Sequence, residues 1–107
     1  MKKTELMIYK VLLLDEAKAD VAEARFYYNS LVSGLGKRFK LDLKKIVSQL
    51  QNNPHTFGYR FEEFRTANLQ IFPYQVHYRI DEYNHSVIIF AVLHGYRNPD
   101  FIKIRKA

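Results

Sequence analysis

Residues 74–81 read YQVHYRID, in which Tyr74, Val76, Tyr78 and Ile80 alternate with Gln75, His77, Arg79 and Asp81. A period of two is the pattern of a β-strand with one apolar and one polar face. A one-residue slip would turn every side chain over, so the pattern specifies its register strongly. The expectation is that the first set faces a core, while Gln75, His77 and Arg79 face solvent or a partner. Asp81 to His85 reads as a turn. The next stretch, SVIIFAVL from Ser86 to Leu93, is almost wholly apolar, as a central strand covered on both faces would be.

Upstream the period changes. Ile8 to Leu14 (IYKVLLL) is a short apolar run and reads as a buried strand. Asp15 is placed to cap a helix beginning directly after it. Val21, Ala24, Tyr28 and Leu31 then recur at helical spacing. Ser33-Gly34-Leu35-Gly36 interrupts that helix. A second helix comes next, with Leu35, Phe39, Leu43, Ile46, Val47 and Leu50 on one side. Lys37, Arg38, Lys40, Lys44 and Lys45 lie on the solvent side against a lone Asp42. Asn52-Asn53-Pro54 ends it. So short a connection predicts a helical hairpin. Tyr59 through Arg65 reads as one further strand. The order β-α-α-β-β-β predicts an α+β fold, with the hairpin packed on the apolar face of a small, mostly antiparallel sheet.

The chain has 107 residues, which fits a single domain spanning 1–107. A domain of this size buries roughly 65% of the surface of its unfolded chain. That supports one modest core, whose volume would come mainly from Phe and Tyr. No cysteine is present, which removes disulfides, thiolate metal sites and cysteine nucleophiles. The apolar run near the N-terminus is cut by Lys10 and meets acidic residues without a small-residue cleavage site, unlike a secretion signal. No stretch approaches the roughly 20 apolar residues of a membrane helix. A cytoplasmic protein is expected. The net charge of +6 is spread along the chain, a net charge of about +2 falling in each of residues 1–14, 15–56 and 57–107. A moderate positive field suits a polyanion or an acidic partner.

Candidate chemistry is sparse. His55, His77, His85 and His94 are widely spaced, so no metal site is expected. No cofactor motif appears: there is no glycine-rich phosphate loop and no GxSxG. Glu62 and Glu63 are neighbours, which in a strand point opposite ways. Five of the seven arginines come after Pro54: Arg60, Arg65, Arg79, Arg97 and Arg105. The guanidinium fork suits bidentate phosphate or carboxylate binding. Several brought together would grip an RNA backbone or an acidic peptide. Arg65 and Arg97 each sit at the end of an expected strand. His94 and Tyr96 come after SVIIFAVL, and each has both a structural use and a use in binding. Phe61, Phe64, Phe72, Tyr74 and Tyr78 belong by default to the core.

Phe64-Arg65, then IFPYQVHYRI at 71–80, then VIIFAVLHGYRNP at 87–99 resemble the RelE/ParE toxin superfamily, and its ParE branch most. The first half agrees, with the aromatic run Phe26-Tyr27-Tyr28 and the step from Gly34 to Phe39. The resemblance covers about residues 8–105. It implies the toxin of a type II toxin–antitoxin pair, neutralised by a cognate antitoxin. The oligomeric state stays open, a toxin–antitoxin heterotetramer being one arrangement. ParE-like members poison DNA gyrase. RelE-like members cleave mRNA on the ribosome, which is the alternative. The RelE pattern has an arginine where this chain has Gln75, and a tyrosine near the C-terminus where it has Phe101. It also expects lysines before the middle strands, whereas residues 54–80 contain none. A nuclease would draw on His77 as base and on Arg79 or Arg97 to hold the phosphate. A binding toxin would present Arg65, Arg79, His94, Tyr96, Arg97, Lys103 and Arg105 as contact residues. Lys37, Lys40 and Lys44 would meet an acidic antitoxin segment.

Overall fold

The structure is a computed structural model and describes residues 8–61, 63–95 and 105. Strand β1 (Lys10–Leu13) leads into helix α1 (Asp15–Leu31) and helix α2 (Leu35–Asn52). A short 3-10 turn at Pro54–Thr56 precedes β2 (Tyr59–Phe61), β3 (Phe64–Asn68), β4 (Tyr74–Asp81) and β5 (Ser86–His94). The sheet runs in the order β1-β5-β4-β3-β2. Only β1 and β5 are parallel; the other neighbours are antiparallel. This is the expected α+β hairpin on a mostly antiparallel sheet. The stretch that reads as one strand from Tyr59 to Arg65 folds back on itself, pairing Tyr59 with Arg65. Among the described residues the sheet therefore has five strands.

Helix α1 starts at Asp15 with Leu14 as its N-cap, and no side chain caps it. Asp15 acts instead from inside the first turn, where a carboxylate favours the positive helix end. The turn into α2 needs a left-handed residue, which Gly34 supplies at φ +89°. Asn29 Oδ1 accepts the Gly34 N–H at 2.9 Å. Two residues on, α2 crosses α1 so closely that a Cβ on Gly36 would lie 2.6 Å from the Arg25 carbonyl oxygen.

The hairpin buries Ala17 and Ala24 of α1, and Phe39, Leu43, Ile46 and Leu50 of α2. They meet Ala67, Val76, Tyr78, Val87, Ile89 and Val92 of the sheet. Small residues on α1 and large ones on α2 share one layer, as close-packed interiors require. The helix-facing set of β4 is thus as its alternation predicts. The opposite face is not open, however. His77 is only 2% exposed. Its Nδ1 lies 2.9 Å from Thr66 Oγ1. The cause lies in β5, where His77 pairs with Ala91 but Tyr78 pairs with Ile89. Phe90 is the extra residue of a β-bulge. The shift sends Phe90, Ala91 and Leu93 into a second apolar cluster with Phe64, beside the His77 ring.

The hydroxyl of fully buried Tyr78 donates to the Pro54 carbonyl oxygen at 2.6 Å. Burial pushes its pKa up to about 12. The folded value lies above the unfolded value near 10. The stabilising contribution is therefore complete below pH 10 and is lost as pH rises toward 12, by about 1.4 kcal/mol per pH unit. Tyr78→Phe is expected to lower stability at pH 7 by about 1–2 kcal/mol. Its deficit against the wild type should then shrink above pH 10. Chemical denaturation from pH 7 to 11.5 checks this, and a gap independent of pH would refute it.

Candidate functional site

The strand register separates the arginines that the sequence offers as a group. Arg65 pairs across β3–β4 with Tyr78 and so lies on the helix-facing side. There it donates to the Phe57 carbonyl at 2.6 Å, and its guanidinium sits 4.0 Å over the Tyr59 ring. With Tyr78, it fastens the segment from Pro54 to Phe57. Arg79 comes after Tyr78 in β4 and takes the opposite face, opposite Ile88. His77 shares that face but is sealed, contrary to its expected exposure. Gln75 Nε2 donates to Asn68 Oδ1. Tyr96, Arg97 and Lys103 lie outside the described residues.

Arg105 does not stand free as a contact residue. Its Nη1 is 2.6 Å from Asp20 Oδ2, with side-chain exposures of 14% and 7% respectively, so the pair is sealed. Arg105 Nη1 also reaches the Phe90 carbonyl, and Asp20 accepts the Val92 N–H at 3.0 Å. β1 accompanies β5 only as far as Ile89. The ion pair therefore occupies the edge of β5 just where backbone pairing stops. The Asp20 carboxylate, as hydrogen-bond acceptor and counter-charge, raises the Arg105 pKa against the opposing effect of burial.

On α2, Lys37, Arg38, Lys40, Lys44 and Lys45 are exposed as expected, but Asp42 is not their solvent neighbour. It is 1% exposed. Its carboxylate accepts the backbone N–H groups of Gln70, Ile71 and Phe72 at 3.3, 2.9 and 2.9 Å. The loop thus pinned to the helix leaves a groove of about 460 Å³, lined by Arg38, Leu41, Lys44, Lys45, Ser48 and Ile71. Leu41 and Ile71 are half or more exposed. The groove has an apolar floor and a cationic rim.

At the far end of β5, His94 lies edge-on to Tyr74, with ring centroids 5.5 Å apart. Tyr28 and Tyr27 continue the row, and Glu23 completes a concavity of about 410 Å³. Among the described residues no group of His, Asp or Glu is placed to hold a metal ion, and no helix is long and apolar enough to cross a membrane.

Asp20 and Asp42 have roles that their charge conceals in the sequence. The signal is positional. Asp20 falls between Ala17 and Ala24, and Asp42 between Phe39 and Ile46, on the buried stripes of their helices. A carboxylate on a buried stripe needs donors. Glu23 and Tyr27 carry no such mark.

A family model described as the ParE toxin of the type II toxin–antitoxin system parDE matches residues 11–99. No curated protein matches the chain at a significant level. Among solved structures, the chromosomal ParDE toxin–antitoxin system of P. aeruginosa superposes with a TM-score of 0.71 at 17% identity, covering 82% of this chain and 97% of that one. The RelBE2 toxin–antitoxin complex of Mycobacterium tuberculosis gives 0.61 at 21%, covering 81% and 91%. The isolated E. coli RelE toxin gives 0.63 at 16%, covering 92% and 96%. At these identities the structural likeness concerns the fold.

Removing one partner of a sealed ion pair strands the other. Arg105→Ala is therefore expected to cost about 3 kcal/mol, measured by chemical denaturation. Arg79→Ala, on the other face, should cost under about 0.5 kcal/mol. Equal small effects would mean that Arg105 contributes no more than a surface charge.

Proposed function

Because the chain belongs to the ParE toxin family of type II toxin–antitoxin systems, we propose that it acts by binding, with DNA gyrase as its target, and that a cognate antitoxin neutralises it. The observation that carries the binding reading is the burial of His77 together with the separation of Arg65 from Arg79. RNA cleavage requires a base within hydrogen-bond reach of the 2′-hydroxyl and a cation on the phosphate. His77 is sealed and engaged with Thr66. Gln75 brings no charge, and Arg65 grips backbone carbonyls on the other side of the sheet. His77, the base a nuclease would draw on, is therefore not accessible, and Arg65 does not join Arg79 on its face. A gyrase target implies action in the cytoplasm.

The antitoxin contact that the charge pattern favours is the groove on α2. An acidic amphipathic segment would seat apolar side chains on Leu41 and Ile71 and meet the lysine rim with its carboxylates. Such complementarity raises association rate more than affinity.

Pulse expression tests the target. DNA breaks should rise while labelled amino-acid incorporation holds. Purified protein should leave mRNA on programmed ribosomes intact, and toxicity should fall in Arg97→Ala. Cleavage of ribosome-bound mRNA, abolished by His77→Ala, would overturn the reading in favour of a nuclease. For the antitoxin, the triple change Lys37→Glu, Lys40→Glu and Lys44→Glu, of which Lys44 lines the groove and the other two are exposed on the same helix, should slow association at low salt by about ten-fold. An unchanged rate would remove those lysines from the interface.

A further inference from the structure

The concavity beside His94 differs in character from the rest of this basic chain. Its lining is Glu23, Tyr27, Tyr28, Tyr74 and His94: four rings and a carboxylate. Successive rings turn through large angles: 70° between Tyr27 and Tyr28, 65° between Tyr28 and Tyr74, and 69° between Tyr74 and His94. The walls of the cup are therefore set steeply against one another. Tyr28 and Tyr74 are braced from behind by Phe39, so the cup is formed in advance of any ligand. Tyr27 is 53% exposed and stands at the mouth, while Glu23 is an exposed residue at the rim.

We propose that this cup binds a guanidinium, the side chain of an arginine carried by a protein partner. Aromatic faces are the negative ends of their quadrupoles and attract a cation lying against them. Arginine suits them better than lysine, because its planar, weakly hydrated head can stack on one ring while its N–H groups reach a carboxylate. Glu23 supplies that carboxylate. The local field has the right sign: besides burial and the neighbouring tyrosines, the Glu23 carboxylate raises the Tyr74 pKa. A nucleic-acid strand, which could also stack on such rings, would bring its phosphates against Glu23. The cup is separate from the cationic groove on α2 and asks for the opposite charge in its ligand, so it does not depend on the gyrase reading.

The test is a titration of the full chain with acetyl-Gly-Arg-Gly-amide, monitored by NMR of the tyrosine and histidine rings. Saturable shifts at Tyr27, Tyr74 and His94 are expected, with a dissociation constant on the order of millimolar. The neutral citrulline peptide should bind at least about ten-fold more weakly. Glu23→Gln and Tyr27→Ala both change exposed residues, and each should weaken binding about five-fold without lowering the melting temperature. Equal binding of citrulline overturns the proposal, as does failure to saturate at about 50 mM. A single-stranded RNA oligomer titrating the same rings more tightly would reassign the cup to bases. Shifts of these rings in Arg97→Ala with no peptide present would make this chain's own arginine the occupant and overturn the assignment to a partner.

Discussion

The Asp42 carboxylate holds three consecutive backbone N–H groups of the loop at Gln70 to Phe72, and much of the molecule's order depends on that grip. The Phe72 amide is buried, and those of Gln70 and Ile71 are partly so. An unpaired buried donor costs about 1–3 kcal/mol, so one side chain removes a large penalty at a single point. The fixed loop sets Phe72 edge-on against Tyr28 and Phe39. It also starts β4 at Tyr74, whose carbonyl takes the Leu69 N–H, while the Pro73 carbonyl takes the Gly95 N–H at the end of β5. A charge on α2 thus fixes where two strands meet and how the tyrosine cup is framed.

The fold was legible where side-chain period and burial agree. The stripe Phe39, Leu43, Ile46 and Leu50 and the alternation Val76, Tyr78 each name their own element. Legibility failed where one residue breaks a period. The bulge at Phe90 leaves no mark in an apolar run, since every position of SVIIFAVL would be buried in either register. The β2–β3 hairpin closes with Phe61 opposite Phe64, in a stretch of sequence without the glycine or asparagine that usually announces a tight turn. The alternation puts His77 on the correct face, but the cover over that face comes from Phe64 and the displaced Phe90. Strand alternation cannot foresee a second cluster built by an irregularity.

The candidate site was less legible than the fold, for an electrostatic reason. A sequence displays charges without their partners. Arg65, Arg79 and Arg105 look alike as letters. Pairing with Tyr78 turns Arg65 onto backbone carbonyls, Asp20 draws Arg105 into a sealed pair, and Arg79 goes to the opposite face. The order of motifs nevertheless carried the family, because that order records topology, and topology outlasts the particular use of each side chain. Asp20 and Asp42 were hidden by the same convention that makes charged residues read as surface.

The ion pair at the end of β1 has a consequence for how the chain behaves in a crowd. A strand edge with vacant N–H and C=O groups is a template on which another strand can grow. Past Ile89, where β1 ends, the Val92 N–H is already held by Asp20 and the Phe90 carbonyl by Arg105. A foreign strand arriving there would have to evict a buried carboxylate and its partly buried guanidinium partner before making its first bond. So short a β1 would otherwise have left the most apolar strand of the protein exposed as a seed for sheet growth; two side chains of opposite charge close it.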